Sequence, residues 1–136
     1  IEFSGIGFGS ADYCASTGGD MGKASLAYGR GKIINAAALY NTLALDGVWL
    51  DFRDPEGCKE ETLYVKTMGF KGRFAIHPDQ IKPIHDAYRP TPEELEWAKG
   101  VLEEAKTAGS GAFKYQGKMV DAPVLAVARL IISRED

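Results

Sequence analysis

Apolar residues at Ile1, Phe3, Ile6 and Phe8 alternate with small ones up to Gly9, a pattern that predicts a buried strand with Asp12 just beyond its end. In the segment "GRGKIINAAALYNTLAL", Ile33, Ala37, Tyr40 and Ala44 recur at helical spacing and predict a helix. "DGVWLDF" then reads as a short buried strand. "RDPEGCKEETLYVKTMGF" reads as a turn and an amphipathic helix through Cys58, Thr62, Val65 and Met68. "GRFAIHP" reads as a third strand, halted by Pro78, and "DQIKPIHDAY" as a short helix or turn. Strands alternating with helices across short links predict a parallel sheet and the α/β class.

After Pro90 the pattern changes. Thr91, Pro92 and Glu94 spell a capping box with proline in the first turn, and Gly109 is a stop. Between them Leu95, Ala98, Val101, Leu102 and Ala105 make one apolar stripe, so "TPEELEWAKGVLEEAKTAG" predicts a helix. "GSGAFKYQGKMVD" alternates and turns at Gly117, predicting a small hairpin, and "APVLAVARLIISRED" predicts a closing helix. The expected division is therefore residues 1–90 as the sheet-bearing part and 91–136 as a lid or arm.

The chain has 136 residues, enough for one domain with its own core. Hydrophobic residues at 45% and charged residues at 26% exclude disordered, collagen-like and coiled-coil classes. A net charge of −3 with scattered basic residues argues against a nucleic-acid partner. No apolar run approaches the ~20 residues of a membrane span, and no signal peptide opens the chain, so a soluble protein without a membrane partner is expected. Cys14 and Cys58 have no metal-ligand or disulfide spacing and predict reduced thiols in a cytosol-like compartment.

In parallel α/β architectures, ligands gather beyond the carboxyl ends of the strands. That rule selects Gly9–Tyr13, Phe52–Gly57 and Ile76–Asp79. Asp12 is there either a carboxylate for a hard divalent cation or a turn and helix-capping aspartate. Asp51, Arg53, Asp54 and Glu56 predict a self-neutralised salt-bridge cluster that positions a loop. His77, held extended by Pro78, is a general base, a ligand contact or a hydrogen-bonded structural histidine. "GRGK", Gly29–Lys32, matches neither a phosphate loop nor a dinucleotide fingerprint. No nucleophile elbow is present. Asp121, two residues before Pro123, is a good N-cap for the last helix, and that role does not forbid a catalytic one.

Five segments, "FGSADYCAS", "DGVWLDFRDPEG", "MGFKGRFAIHPDQI", "YRPTPEELEWA" and "GKMVDAPVLAVA", together resemble the C-terminal half of the citrate lyase beta-subunit / malyl-CoA lyase family, in its order and at about its spacing. The resemblance spans nearly the whole chain. It implies the C-terminal portion of a TIM (β/α)8 barrel of the phosphoenolpyruvate/pyruvate-domain type, followed by a small helical and hairpin arm. It also implies a Mg²⁺-dependent carbon–carbon lyase of aldol or retro-Claisen type, acting on malyl-CoA, citramalyl-CoA or a citryl thioester. In that family Mg²⁺ is held by a Glu and an Asp, and the Asp carries over to Asp12. The metal acts as a Lewis acid on the oxygen of the 2-oxo or hydroxy acid. Backbone near Ala11 and Asp12 is implied to touch the substrate carboxylate, and Ile76 and His77 the acyl or CoA portion. The family's arm covers a neighbouring subunit's active site, which makes Asp121 the implied acid/base group, delivered in trans within a homo-oligomer, a trimer or hexamer. A cytoplasmic location, or the mitochondrial matrix of a eukaryote, is expected.

The family's other metal ligand, a Glu, and its substrate-binding Arg belong to earlier strands, and a complete barrel needs ~250 residues. The chain, which opens at Ile1 without an initiator methionine, is therefore expected to be a cut or partial product, or to pair with a separate N-terminal half. Alone it is expected to be inactive. The alternatives are a non-catalytic acyl-CoA-binding or oligomerisation domain, and a malyl-CoA thioesterase using the same Asp121.

Overall fold

The computed structural model describes residues 3–109 and 111–135, and the chain folds as two compact units, Ile1–Tyr88 and Arg89–Asp136. In the first, β1 (Gly5–Gly7), β2 (Leu43–Asp46) and β3 (Gly72–Arg73) form a parallel sheet in the order β1-β2-β3. Gly5 pairs with Leu43 and Leu45 with Gly72. Helices α1 (Ser10–Thr17) and α2 (Lys23–Leu39) run between β1 and β2, α3 (Pro55–Met68) between β2 and β3, and α4 (Ile81–Tyr88) follows β3. Ala37, Ala44, Val65 and Phe70 form the main core, flanked by Ile6, Ile33 and Ile34, so α2 and α3 cover the sheet. A smaller cluster of Phe8, Cys14 and Leu26 packs α1 on α2.

Several boundaries differ from the pattern-based reading. Ile1 lies outside the described residues, and the first strand is only Gly5–Gly7. The helix expected from Gly29 to Leu45 begins at Lys23 and ends at Leu39, so Ala44 lies on β2. Asn41, at φ 49°, takes the left-handed conformation that asparagine tolerates, and the chain turns into β2 there. The strand expected over "DGVWLDF" therefore lies upstream, at Leu43–Asp46, and residues 47–52 are a loop. An aspartate normally marks the start of a loop, whereas Asp46 is fully buried at the end of a strand. The third strand is two residues long, and Pro78–Gln80 form a 3-10 turn ahead of α4.

The second unit is local in origin. Helix α5 (Pro92–Ala108) carries the capping box in full, Thr91 Oγ1 accepting from Glu94 N–H at 3.1 Å and Glu94 Oε2 from Thr91 N–H at 2.9 Å. Such a cap stabilises a helix by about 1 kcal/mol. Strands β4 (Phe113–Tyr115) and β5 (Lys118–Val120) pair antiparallel across Gln116 and Gly117, whose φ values of 48° and 78° are those of a type I′ hairpin turn. Helix α6 (Ala122–Ile132) starts at Asp121, which caps Val124 N–H at 3.4 Å. Ala98, Val101, Val120 and Ala128 form this unit's core, ringed by Trp97, Phe113 and Leu125. Among the described residues no helix is long and apolar enough to cross a membrane.

Candidate functional site at the carboxyl ends of the sheet

Asp12 sits in the first turn of α1, three residues past Gly9 at the exit of β1. It is exposed, and among the described residues its carboxylate has no hydrogen-bond or ion-pair partner. No described side chain caps α1, so the first-turn amides around Ala11 and Asp12 face no side-chain acceptor. A helix start of this kind favours an anion. A cleft of about 370 Å³ opens here, walled by Gly7 through Asp12, Val48 and Phe74. Its lining contains one titratable side chain, Asp12.

The exits of β2 and β3 follow in that order to one side of this loop. His77 stacks on Phe52 with ring centroids 4.7 Å apart and planes at 23°. Its Nδ1 lies 3.2 Å from Asp79 N–H, as an acceptor, and 3.5 Å from the Asp79 carboxylate. Ile76 is exposed, and its N–H donates to Gln80 Oε1 at 2.9 Å. Gln80, buried, donates onward to Trp49 O at 2.7 Å and so ties the β3 exit to the β2 exit. The charged cluster of Asp51, Arg53, Asp54 and Glu56 is not the salt bridge expected of it. Asp51 instead accepts from Arg53 N–H at 3.0 Å, and Asp54 caps α3 by accepting from Gly57 N–H at 2.9 Å. In a loop of backbone turns these carboxylates satisfy amides that an ion pair would leave unmet.

The ion pairs lie deeper, where sequence reading found nothing. Asp46, fully buried, receives Arg30 Nε and Nη2 at 3.1 Å each, a two-pronged contact, and Arg73 Nη2 at 2.6 Å. Arg30 Nη2 also meets Glu61 at 2.8 Å. Arg73 donates further to Gly47 O at 2.9 Å and Thr62 Oγ1 at 3.2 Å. Two cations and two carboxylates thus fasten β2, β3, α2 and α3 together directly beneath the strand exits. The one available signal was "GRGK", whose Arg30 shares its helix face with Leu26, Ile33 and Ile34. Cys58, fully buried nearby, has its thiol pushed up by burial, which favours the protonated form.

Gly47 connects this network to Asp12. A Cβ there would fall 2.0 Å from Ser10 Oγ and 2.9 Å from Phe8 O, so only glycine lets the start of α1 rest on the β2 exit. Gly47→Ala is expected to destabilise the fold by about 1–3 kcal/mol through overpacking, read as a lower midpoint in urea unfolding, and an unchanged midpoint would show that Ser10 moves aside without cost.

A parallel sheet flanked by helices, with its polar loops gathered at the strand exits, is the site layout of (β/α)-barrel proteins. The chain belongs to the carbon–carbon bond lyase family of the TIM-barrel fold, whose family model matches residues 31–135. It is 37% identical over 131 residues to the mitochondrial citramalyl-CoA lyase of Rattus norvegicus, covering 93% of this chain and 39% of that protein. With the citrate lyase subunit beta-like protein of Mycobacterium tuberculosis it shares 39% identity over 137 residues, 96% of this chain and 50% of the other. The crystal structure of the CitE protein of that organism in complex with magnesium, acetoacetate and coenzyme A superimposes with a TM-score of 0.81 at 36% identity, over 96% of this chain and 51% of that one. The chain thus spans half or less of the length of the first two relatives.

Asp12, Ala11, Ile76 and His77 all lie on the strand-exit side of the first unit. Asp121 belongs to the second unit and is half-buried at its helix cap. Among the described residues no three His, Cys, Asp or Glu side chains converge as a metal cage. Asp12 fits a cation that takes one or two carboxylates and fills its remaining positions with water and substrate oxygens, as Mg²⁺ does.

Proposed function

We propose that the chain forms part of a Mg²⁺-dependent carbon–carbon lyase of the citrate lyase beta-subunit / malyl-CoA lyase type, acting on a 3-hydroxyacyl-CoA such as malyl- or citramalyl-CoA or on a citryl thioester. The observation that carries this reading is the uncommitted carboxylate of Asp12, set in the first turn of an uncapped helix beside a cleft. The citramalyl-CoA lyase of the rat bears a lyase name, and the mycobacterial CitE protein was solved with magnesium and coenzyme A.

Asp12 would hold Mg²⁺ with further ligands from outside these residues, and the bound ion would polarise the oxygen on the carbon that is cleaved. Amides at Ala11 and Asp12 bind the carboxylate of the oxo or hydroxy acid. Ile76 and His77 contact the acyl or CoA portion. In cleavage, the bond between the acyl α-carbon and the carbinol carbon breaks. The hydroxyl proton passes to a water molecule, the electrons of the broken bond remain on the α-carbon as the enolate, and the α-carbon takes a proton from protonated Asp121, giving acetyl-CoA and a 2-oxo acid. Residues 91–136 act as the arm that brings Asp121 to a neighbouring subunit of a homo-oligomer. Two free, buried cysteines accord with a cytoplasmic or mitochondrial-matrix location.

The test is cleavage of malyl-CoA and citramalyl-CoA by a complete barrel carrying this chain. Acetyl-CoA should appear with glyoxylate or pyruvate, stop on chelation and resume when Mg²⁺ is restored. Release of free CoA with an intact hydroxy acid would make the protein a thioesterase. Tight acyl-CoA binding without turnover of any malyl, citramalyl or citryl thioester would make it a binding domain.

A further inference from the structure

The backbone ladder between β2 and β3 stops early. Phe74 N–H donates to Asp46 O at 3.1 Å, and among the described residues no backbone bond joins the two segments past that point. Side chains take over there. Gly47 O is met by Arg73 Nε at 2.9 Å, and Trp49 O by Gln80 Nε2 at 2.7 Å. The same Gln80 amide accepts from Ile76 N–H at 2.9 Å through Oε1. One side-chain amide, 1% exposed, thus spans the two exit loops, taking a bond from one and giving a bond to the other as a peptide group between them would. Its partners fix its orientation, because a flipped amide would set N–H against N–H and oxygen against oxygen. Glutamate, when ionised, has no donor for Trp49 O, and asparagine is one methylene shorter.

The bridged loops carry Phe52 on one side and Ile76 and His77 on the other. Phe52 and His77 stack, so the loops are joined at a second point. These three residues are at least partly open to solvent, whereas Gln80 is not. The whole arrangement lies within residues 46–80. We propose that Gln80 is a positioning residue for the acyl-thioester end of the site, an inference that rests on the lyase reading above. Its amide sets the spacing of the two loops, and with it the places of Ile76 and His77, which that reading assigns to the acyl or CoA portion. Without the amide, Ile76 N–H and Trp49 O each lose a partner, and the loops part until water reaches both groups. The thioester then meets Ile76 and His77 in several arrangements instead of one. Asp12, on α1, takes no part in the bridge. The loss therefore falls on binding that ground state and transition state share, which raises KM and leaves kcat in place.

The experiment compares the complete barrel with two variants. Gln80→Met keeps the length of the side chain and removes both hydrogen bonds, and Val65→Ala opens the main core while leaving the bridge intact. Steady-state kinetics are measured on malyl-CoA, citramalyl-CoA and citryl-CoA, with the melting temperature of each protein. Gln80→Met should raise KM for the thioester by roughly three- to tenfold, the worth of one lost hydrogen bond, with kcat nearly unchanged. Val65→Ala should lower the melting temperature and leave KM where it was, which separates positioning from a general loosening of the fold. If the methionine variant does not fold, Gln80→Asn decides in its place, with the same direction expected. An active Gln80 variant with the parent's KM, or a KM raised equally by Val65→Ala, overturns the role of Gln80 and leaves the lyase reading standing. So does a fall in kcat at unchanged KM. A parent that turns over none of these thioesters overturns that reading, and this inference with it.

Discussion

Asp46→Asn will cost the fold about 3–5 kcal/mol, the usual penalty for removing one partner of a buried ion pair. The substitution keeps the shape of the side chain and removes its charge. Arg30 would retain Glu61 at 2.8 Å, but among the described residues the only ion pair of Arg73 is the one with Asp46, at 2.6 Å. Arg73 would then be a buried cation held by neutral oxygens alone, those of Gly47, Thr62 and the new amide. Hydrogen bonds to neutral acceptors do not repay the loss of water around a guanidinium. Urea unfolding should show a lower midpoint at an unchanged slope. A companion variant, Asp46→Leu with Arg73→Met, should lose less than Asp46→Asn, because it leaves fewer charges unmatched. A loss under about 1 kcal/mol in the asparagine variant would mean that Glu61 or water compensates.

If Asp121 is the acid of the proposed lyase, Asp121→Asn in a complete barrel is expected to lower the rate by roughly 10²–10⁴-fold, the usual worth of a general acid or base, while leaving stability almost unchanged. The two expectations separate because asparagine caps a helix about as well as aspartate does. The bond from Val124 N–H to the residue-121 side chain survives the exchange, so α6 should start where it does now. Only the proton is lost. Asp121→Ala should lose both, about 1 kcal/mol of helix stability and the rate. An asparagine variant that keeps both its rate and its melting temperature would reduce Asp121 to a cap and return proton transfer to another group.

The second unit was largely legible because its signals are short-range. Thr91 and Glu94 sit three residues apart, and Asp121 and Val124 likewise, so each cap could be read from adjacent letters. The hairpin needed only Gly117 beside a residue able to share its positive φ. In the first unit, α3 was legible for the same reason: its apolar face through Cys58, Thr62 and Val65 is periodic and buried as expected. Asp12, His77 and Ile76 could be singled out because the strand-exit rule depends on element order alone.

The strands were not legible in the same way. β2 ends in an aspartate that local rules assign to a loop, and it is a strand residue because its charge is met by Arg30 and Arg73, 16 and 27 residues away. Neither distance leaves a trace in a local window. Gly47 and Gly7 are equally silent in sequence, since what each must avoid, Ser10 in one case and Phe74 in the other, arrives from another part of the chain. Helices α3, α5 and α6 with their caps, the hairpin and the candidate groups at the strand exits are written in the order of the residues, because interactions spanning a few positions fix them, whereas α1 went unread and α2, like α1 without a side-chain cap, was misplaced. Where the strands end and how two arginines come to be buried were settled in the folded arrangement, since each depends on charge and volume matched between segments far apart along the chain.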